Sequence, residues 1–256
     1  MINVIHTKTN NSQPEQRIER KFFIQPENIG MAYALLSHIC KADCNYHDEQ
    51  INSLYFDTFD LNEHERSMEG EFRKEKIRIR WYYSLDTYTD QVPIFIELKS
   101  REGFSGSKKR KRDYVSTHRL EAINLHNGIV PKRELINTLA GFNYYPDTQI
   151  YPIILISYHR YRFTELLTGT HVSLDSDIRS TMISRQLENG QRELKVPGAV
   201  IEVKGSTMEL PVMLRQMKLL DIDWSRFSKY SLCLDSHLVE PGDAAQLWPS
   251  GILFDN

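Results

Sequence analysis

Several absences narrow the class of this chain. No apolar run approaches the roughly 18 residues that a membrane-spanning helix needs, so none is expected. Residues 1–16 are polar and hold no apolar core of the kind a secretory leader carries. Cysteine is scarce: Cys40, Cys44 and Cys233 are all there is, and an odd, small number fits a reducing cytoplasm without structural disulfides. His38, Cys40, Cys44 and His47 are close enough in sequence to raise a zinc site. A Cys-x3-Cys pair within a helix, however, puts both thiols on one face, and buried free cysteines are the plainer reading. Basic charge is not in excess, with 32 Lys and Arg against 34 Asp and Glu. Bulk charge therefore does not recommend nucleic acid, and any anion site must come from local arrangement. No fixed-period repeat, low-complexity block or linker is visible. One domain is expected over residues 17–238, with a flexible arm over 1–16 and a tail over 239–256.

What is present is alternation. In a strand, successive side chains point to opposite faces. Lys76-Ile77-Arg78-Ile79-Arg80-Trp81 places three cations on one face and Ile77, Ile79 and Trp81 on the other. The same rule puts Glu19 with Lys21, Glu97 with Lys99, Arg160 with Arg162, His171 with Ser173 and Asp175, and Glu202 with Lys204. Strands are expected over 17–24, 52–58, 71–83, 93–100, 108–116, 152–164, 171–178 and 199–204. A loop is expected over 101–107, around Gly103 and Gly106. Helices are expected over 26–42, 131–142, 210–220 and 227–238.

Each strand alone reads as an ordinary antiparallel strand, polar outside and apolar inside. The set reads differently, because the charged faces are nearly pure Glu, Lys and Arg, and cations outnumber carboxylates in a chain that is acidic overall. If the sheet closes, these faces line its interior, and a barrel of about eight strands has room for side chains or one narrow ligand. Cations gathered there need an anion, and a polyphosphate chain fits Arg forks and Lys points. The minority carboxylates could hold Mg2+ or Mn2+, which take oxygen ligands and bridge phosphates.

Glu19-Arg20-Lys21-Phe22, Ser53-Leu54-Tyr55-Phe56-Asp57, Lys76 through Tyr82, Ile96-Glu97-Leu98-Lys99, Tyr158-His159-Arg160, Ser173-Leu174-Asp175, Ile201-Glu202-Val203-Lys204 and Phe227-Ser228-Lys229-Tyr230 occur in the order seen in VTC domains. The chain thus resembles the polyphosphate polymerase family of the triphosphate tunnel metalloenzymes (the CYTH-like group). That resemblance implies an α+β fold: an antiparallel eight-stranded closed β-barrel with helices packed outside. It implies that Lys21, Arg78, Arg80, Lys99, Arg160 and Glu202 are catalytic. Arg66, Lys76, Lys109, Lys111, Arg162, His171, Lys204 and Lys229 would complete the substrate-binding set. Glu202 is the implied ligand of Mn2+ or Mg2+, with Glu19, Glu97 and Asp175 as further candidates. The family pattern carries Arg at the position of His171; a shorter, partly charged imidazole makes that phosphate contact weaker or pH-dependent.

The expected activity is metal-dependent phosphoryl transfer from ATP to a growing inorganic polyphosphate chain, in the cytoplasm. A triphosphatase uses the same fold with water as acceptor, and a non-catalytic polyphosphate or nucleotide sensor would keep the cations without the metal. No Ser-His-Asp or Cys-His nucleophile is evident, in keeping with direct transfer. Nucleic acid is not the expected partner. Tyr82, Tyr83, Tyr158 and Tyr161 could stack bases but are better explained by packing, and the Lys-Lys-Arg-Lys-Arg run at 108–112 is expected near the tunnel mouth, guiding polyanion. The sequence names no membrane partner.

Overall fold

The computed structural model describes residues 18–83, 90–103, 105–187, 193–205, 207, 209–220, 222, 224–225 and 228–238. The expected arm and tail lie outside them, as does Phe227. In chain order the elements are β1 (Ile18–Ile24), α1 (Ile29–Ile39), β2 (Cys40–Ala42), β3 (Asp48–Thr58), α2 (Asn62–Met68), β4 (Arg73–Tyr83) and β5 (Gln91–Glu102). There follow β6 (Ser105–Ser116), α3 (Lys132–Gly141), β7 (Ile150–Glu165), β8 (His171–Met182), β9 (Glu193–Lys195), β10 (Ala199–Gly205), β11 (Trp224–Ser225) and α4 (Lys229–Leu238). The helix expected over 210–220 is a 3-10 helix, Met213–Leu220.

All eleven strands join one sheet in the order β11-β1-β10-β8-β7-β3-β4-β5-β6, with β2 attached to β7 and β9 to β8. The paired registers are antiparallel throughout. The expected eight-stranded closed barrel is not formed: the sheet ends at β6 on one side and at β11 on the other. Two features keep it open. The edge of β1 is taken by β11, through Lys21 opposite Ser225 and Phe22 opposite Trp224. β6 carries five successive cations, Lys108 to Arg112, so its free edge repels another cationic strand.

The sheet nevertheless curls hard into a trough. Lys99 of β5 reaches Glu19 of β1 at 2.7 Å, although five strands separate β5 from β1 in sheet order. The convex face carries two apolar layers. Ile77, Ile79, Trp81, Ile94, Ile96 and Leu98 pack against Leu135 and Leu139 of α3. Phe22, Ile24, Leu174 and Ile201 pack under Ala32, Leu36 and Ile39 of α1 and Leu214 and Met217 of the 3-10 helix. Ala32, Leu36 and Ile39 recur at the spacing of one helical face, which explains why α1 buries that stripe.

The helices are not all outside. Tyr230, Cys233 and Leu234 of α4 pack onto Phe23, Ile51, Tyr55, Ile154, Tyr158 and Val200, so α4 lies in the concavity and fills one part of it. The helix expected to run to residue 42 stops at Ile39, because Cys40 to Ala42 pair with Phe163 to Glu165 of β7. The loop expected over 101–107 is a tight hairpin, with Glu102 opposite Ser105. Gly103 sits there at φ +58, in the left-handed region that favours glycine, and a Cβ on it would lie 2.8 Å from the exposed Phe72 ring, which would have to move aside. Cys40 and Cys233 are buried free thiols and Cys44 is exposed. Among the described residues no cluster of His, Cys, Asp and Glu suits a metal, so the zinc reading gains nothing.

One fully buried carboxylate ties α4 and α2 to the sheet. Asp57 of β3 accepts from the backbone N–H of Thr58 (2.7 Å), Glu63 (3.0 Å) and His64 (3.0 Å) and from the Tyr230 hydroxyl (2.7 Å). Asp57→Ala strands four donors at once, and we expect it to cost about 3 kcal/mol or more in urea unfolding. Tyr230→Phe removes a single bond and should cost about 1 kcal/mol. Equal losses in the two variants would contradict this account.

Candidate functional site

The concave face gathers the charged residues that alternation placed together. β1 contributes Glu19 and Lys21, β4 contributes Lys76, Arg78 and Arg80, and β5 contributes Glu97 and Lys99. The other wall brings Arg160 from β7, Asp175 from β8, and Glu202 and Lys204 from β10, while α4 adds Lys229. Tyr158 and Arg160, two residues apart on β7, fall on the same side by strand alternation, and the extra residue at the register shift beside them lies on β8, between Arg179 and Ser176.

Two carboxylate-centred networks organise these groups. In the first, Arg160 forks onto Asp175 (2.5 and 2.6 Å) and also reaches Glu202 (2.9 Å). Lys229 bridges the same two acids, at 2.6 Å from Asp175 and 3.0 Å from Glu202, and Lys21 stands 3.8 Å from Glu202. Burial opposes ionisation of Glu202, but Lys229, Arg160 and Lys21 overcome it and hold the carboxyl well below its ordinary range. In the second network Glu97, fully buried, takes Arg78 (2.7 Å), Lys108 (2.5 Å) and Arg110 (3.3 Å). Burial raises the Glu97 pKa, yet Arg78, Arg80 and Lys108 bring it down to about 2.

Between these networks positive charge is under-compensated. Arg80, buried, donates to the hydroxyls of Ser53 and Tyr158, each at 3.0 Å. Lys76 donates to the Ser228 hydroxyl at 2.8 Å. Burial lowers the Lys76 pKa, and Lys21, Lys99, Lys74 and Arg78 add repulsion, taking it to about 7. Lys21 falls to about 8, chiefly by burial, with Glu202 pulling the other way. Burial is the main reason these lysines lose their protons more readily, and the neighbouring cations add to it, so an anion placed among them would restore their charge.

The remaining sequence candidates are placed as follows. Lys99 bridges to Glu19, and Lys204 stands 4.0 Å from the same acid. Arg162 binds Glu49 and the Tyr46 carbonyl (2.8 Å). Arg162, His171 and Lys204 border a cavity of about 220 Å3 at one mouth of the trough, with Asp43, Phe163 and Ser173. Arg66 lies on α2 beside Glu63 (3.1 Å) and Glu71 (3.8 Å), apart from both networks. Lys109 and Lys111 face α3 on the convex side: Lys109 bonds the Phe142 carbonyl, and Lys111 lies 3.3 Å from Asp113 and 3.8 Å from Glu134. Their neighbours Lys108 and Arg110, expected only as part of the 108–112 run near the mouth and not among the binding residues, are the ones turned into the trough. The hairpin at Gly103 decides this, by setting Lys108 opposite Lys99 and Arg110 opposite Glu97. Of the tyrosines, Tyr158 serves Arg80, Tyr82 packs edge-on to Phe95, Tyr83 is exposed, and Tyr161 contacts Tyr33 of α1 outside the trough.

Comparison with known proteins bears on fold and family. A structure from Bacillus halodurans, described as a candidate adenylate cyclase, aligns with a TM-score of 0.50 at 19% identity, over 84% of this chain and 94% of that one. Another from Vibrio parahaemolyticus, described likewise, aligns with a TM-score of 0.45 at 12% identity, over 87% of this chain and 99% of that one. The first likeness is one of fold. No curated protein matches the chain. A family model described as the VTC domain matches residues 16–237.

The depressed Lys76 pKa has a consequence for stability. Between about pH 7 and the unfolded-state value near 10.4, the unfolded chain holds a proton that the folded one has released, so this group's contribution makes stability rise with pH across that window. Lys76→Met should flatten the rise that begins near pH 7, measured by urea unfolding at pH 6.5, 8 and 9.5 without added anion. An unchanged pH profile in the variant would contradict the assignment.

Proposed function

This chain belongs to the VTC domain family, and on that premise we propose that it transfers the terminal phosphoryl group of ATP to a growing inorganic polyphosphate chain. The observation that carries the reading is the clustering of Lys21, Lys76, Arg78, Arg80 and Lys99 on one concave surface, where burial first and then repulsion from the neighbouring cations bring Lys76 to a pKa of about 7. A triphosphate supplies that charge. Arg78 and Arg80 present planar forks from adjacent inward positions of one strand, suited to two phosphate oxygens each, while Lys21, Lys76 and Lys99 act as point charges around them. Arg160 and Lys229, fixed by Asp175, hold the opposite wall, so little rearrangement is needed when charge develops on the transferring group.

Glu202 is the carboxylate best suited to a divalent ion. Its partners Arg160 and Lys229 leave lone pairs available, and Glu19 lies near enough to be felt electrostatically. Among the described residues no group of three metal-ligating side chains is assembled, so Mg2+ or Mn2+ held here would take Glu202 as its protein ligand and the rest of its shell from phosphate and water. Bound there, the ion would supply positive charge that stabilises the phosphate charge. Phosphoryl transfer asks for little covalent help from the protein, so positioning and charge neutralisation by the cations provide most of the catalysis. The acceptor phosphate is drawn by the same field and has its approach bordered by Lys108 and Arg110.

The test is incubation of the purified protein with ATP and Mn2+, with chain length read on gels and free phosphate measured in parallel. Long polyphosphate is the expected product. Free phosphate without chains would replace transfer by hydrolysis, and triphosphate binding without turnover would make the protein a sensor. Glu202→Gln should lower turnover by about a hundredfold or more while triphosphate binding persists. Full turnover in that variant would remove Glu202 from the chemistry.

A further inference from the structure

The trough is electrically lopsided. Among the described residues Lys76 has a hydroxyl partner and no carboxylate within ion-pair distance, whereas the 220 Å3 mouth sets Asp43 and Glu202 among Arg160, Arg162, His171 and Lys204. Arg162 is held by Glu49, Arg160 by Asp175 and Glu202, and Asp43 stands among Arg162, His171 and Lys204. Asp43 is fixed in place. Its Oδ1 accepts from the backbone N–H of Asn45 and Tyr46, both at 2.9 Å, and its own N–H donates to the Arg162 carbonyl at 2.9 Å. Those two backbone bonds also hold its carboxyl below the usual range, so it is anionic at neutral pH.

A further phosphate at this mouth would face that anion. A group carrying hydroxyls would instead donate to it, as ribose hydroxyls do to an acidic residue in dinucleotide sites. Of the rest of the lining, Ser173 offers a hydroxyl partner, while Phe163 and Val172 belong to the core under α1 and only border the space. The volume is below the roughly 300 Å3 at which drug-sized pockets begin, so it suits a sugar rather than a whole nucleoside.

We propose that Asp43 is the specificity-determining residue that receives the ribose hydroxyls of the nucleoside triphosphate, so that the nucleoside end of the substrate lies at this mouth and the phosphates run inward toward Lys76. The assignment rests on the triphosphate reading above and adds to it a polarity and a preference for nucleotide over bare polyphosphate.

Calorimetric titration of the full chain with ATP, 2′,3′-dideoxy-ATP and inorganic tripolyphosphate tests it. Wild type should bind ATP about tenfold more tightly than the dideoxy compound, the size of one hydrogen bond to a charged group. Asp43→Ala should bring ATP to the dideoxy level and leave tripolyphosphate equal or tighter. Asp43→Asn keeps an acceptor for Asn45 and Tyr46 and guards against a folding artefact; it should fall between the two. Wild type that binds tripolyphosphate but treats ATP and dideoxy-ATP alike overturns the ribose assignment alone, as does an Asp43→Ala loss equal for all three ligands. Wild type that binds none of them overturns the triphosphate reading itself.

Discussion

Mutual repulsion among buried cations is the constraint on which this molecule is built. Lys21, Lys76, Arg78, Arg80, Lys99, Arg160 and Lys229 share one concave surface, and a surface of that kind folds only if charge is offset locally. The protein offsets most of it with four acids. Glu97 serves three cations, Asp175 and Glu202 share two, and Glu19 draws Lys99 across the open side of the trough. What those acids leave over, near Lys76, is the quantity a ligand can use. Stability and binding are thus two readings of one electrostatic balance.

The same constraint explains the shape of the sheet. Apolar residues on the convex side give α1, α3 and the 3-10 helix their seats, and the charged side is left for solvent and ligand. The sheet curls without closing, with the cationic strand β6 at one edge and β11 at the other. α4 enters the concavity where the lining turns apolar, among Phe23, Ile51, Tyr55 and Tyr158, and its first residue, Lys229, extends to the acids beyond. Asp57 then locks this helix to the strand beneath it through Tyr230.

Much of this was legible in the sequence because strand alternation is a strict rule. Lys76, Arg78 and Arg80 are interrupted by Ile77, Ile79 and Trp81, and that contrast fixes which side is buried against α3. Residues 108–112 give no such contrast, since every one is a cation, and only the register set by the Gly103 hairpin reveals that Lys108 and Arg110 face inward. β2 was hidden for a different reason: its partner in β7 lies more than a hundred residues away, and the helical pattern of α1 runs straight into it. Closure was overestimated because a period of two says which residues share a face and nothing about whether the last strand meets the first. Asp43 escaped notice because it belongs to a turn, where no periodicity marks a residue.

The position of α4 has a consequence for the order in which the site comes into being. Strands β1 to β10 can pair before α4 is present, but until it docks Asp175 and Glu202 have Arg160 between them and Lys21 beside Glu202, without the lysine that bridges both acids. Lys229 arrives with the last described element of the chain. Because α4 follows every strand of the sheet in the chain, it is synthesised after them, and the Asp175–Glu202 pair gains its bridging lysine only once that helix is in place.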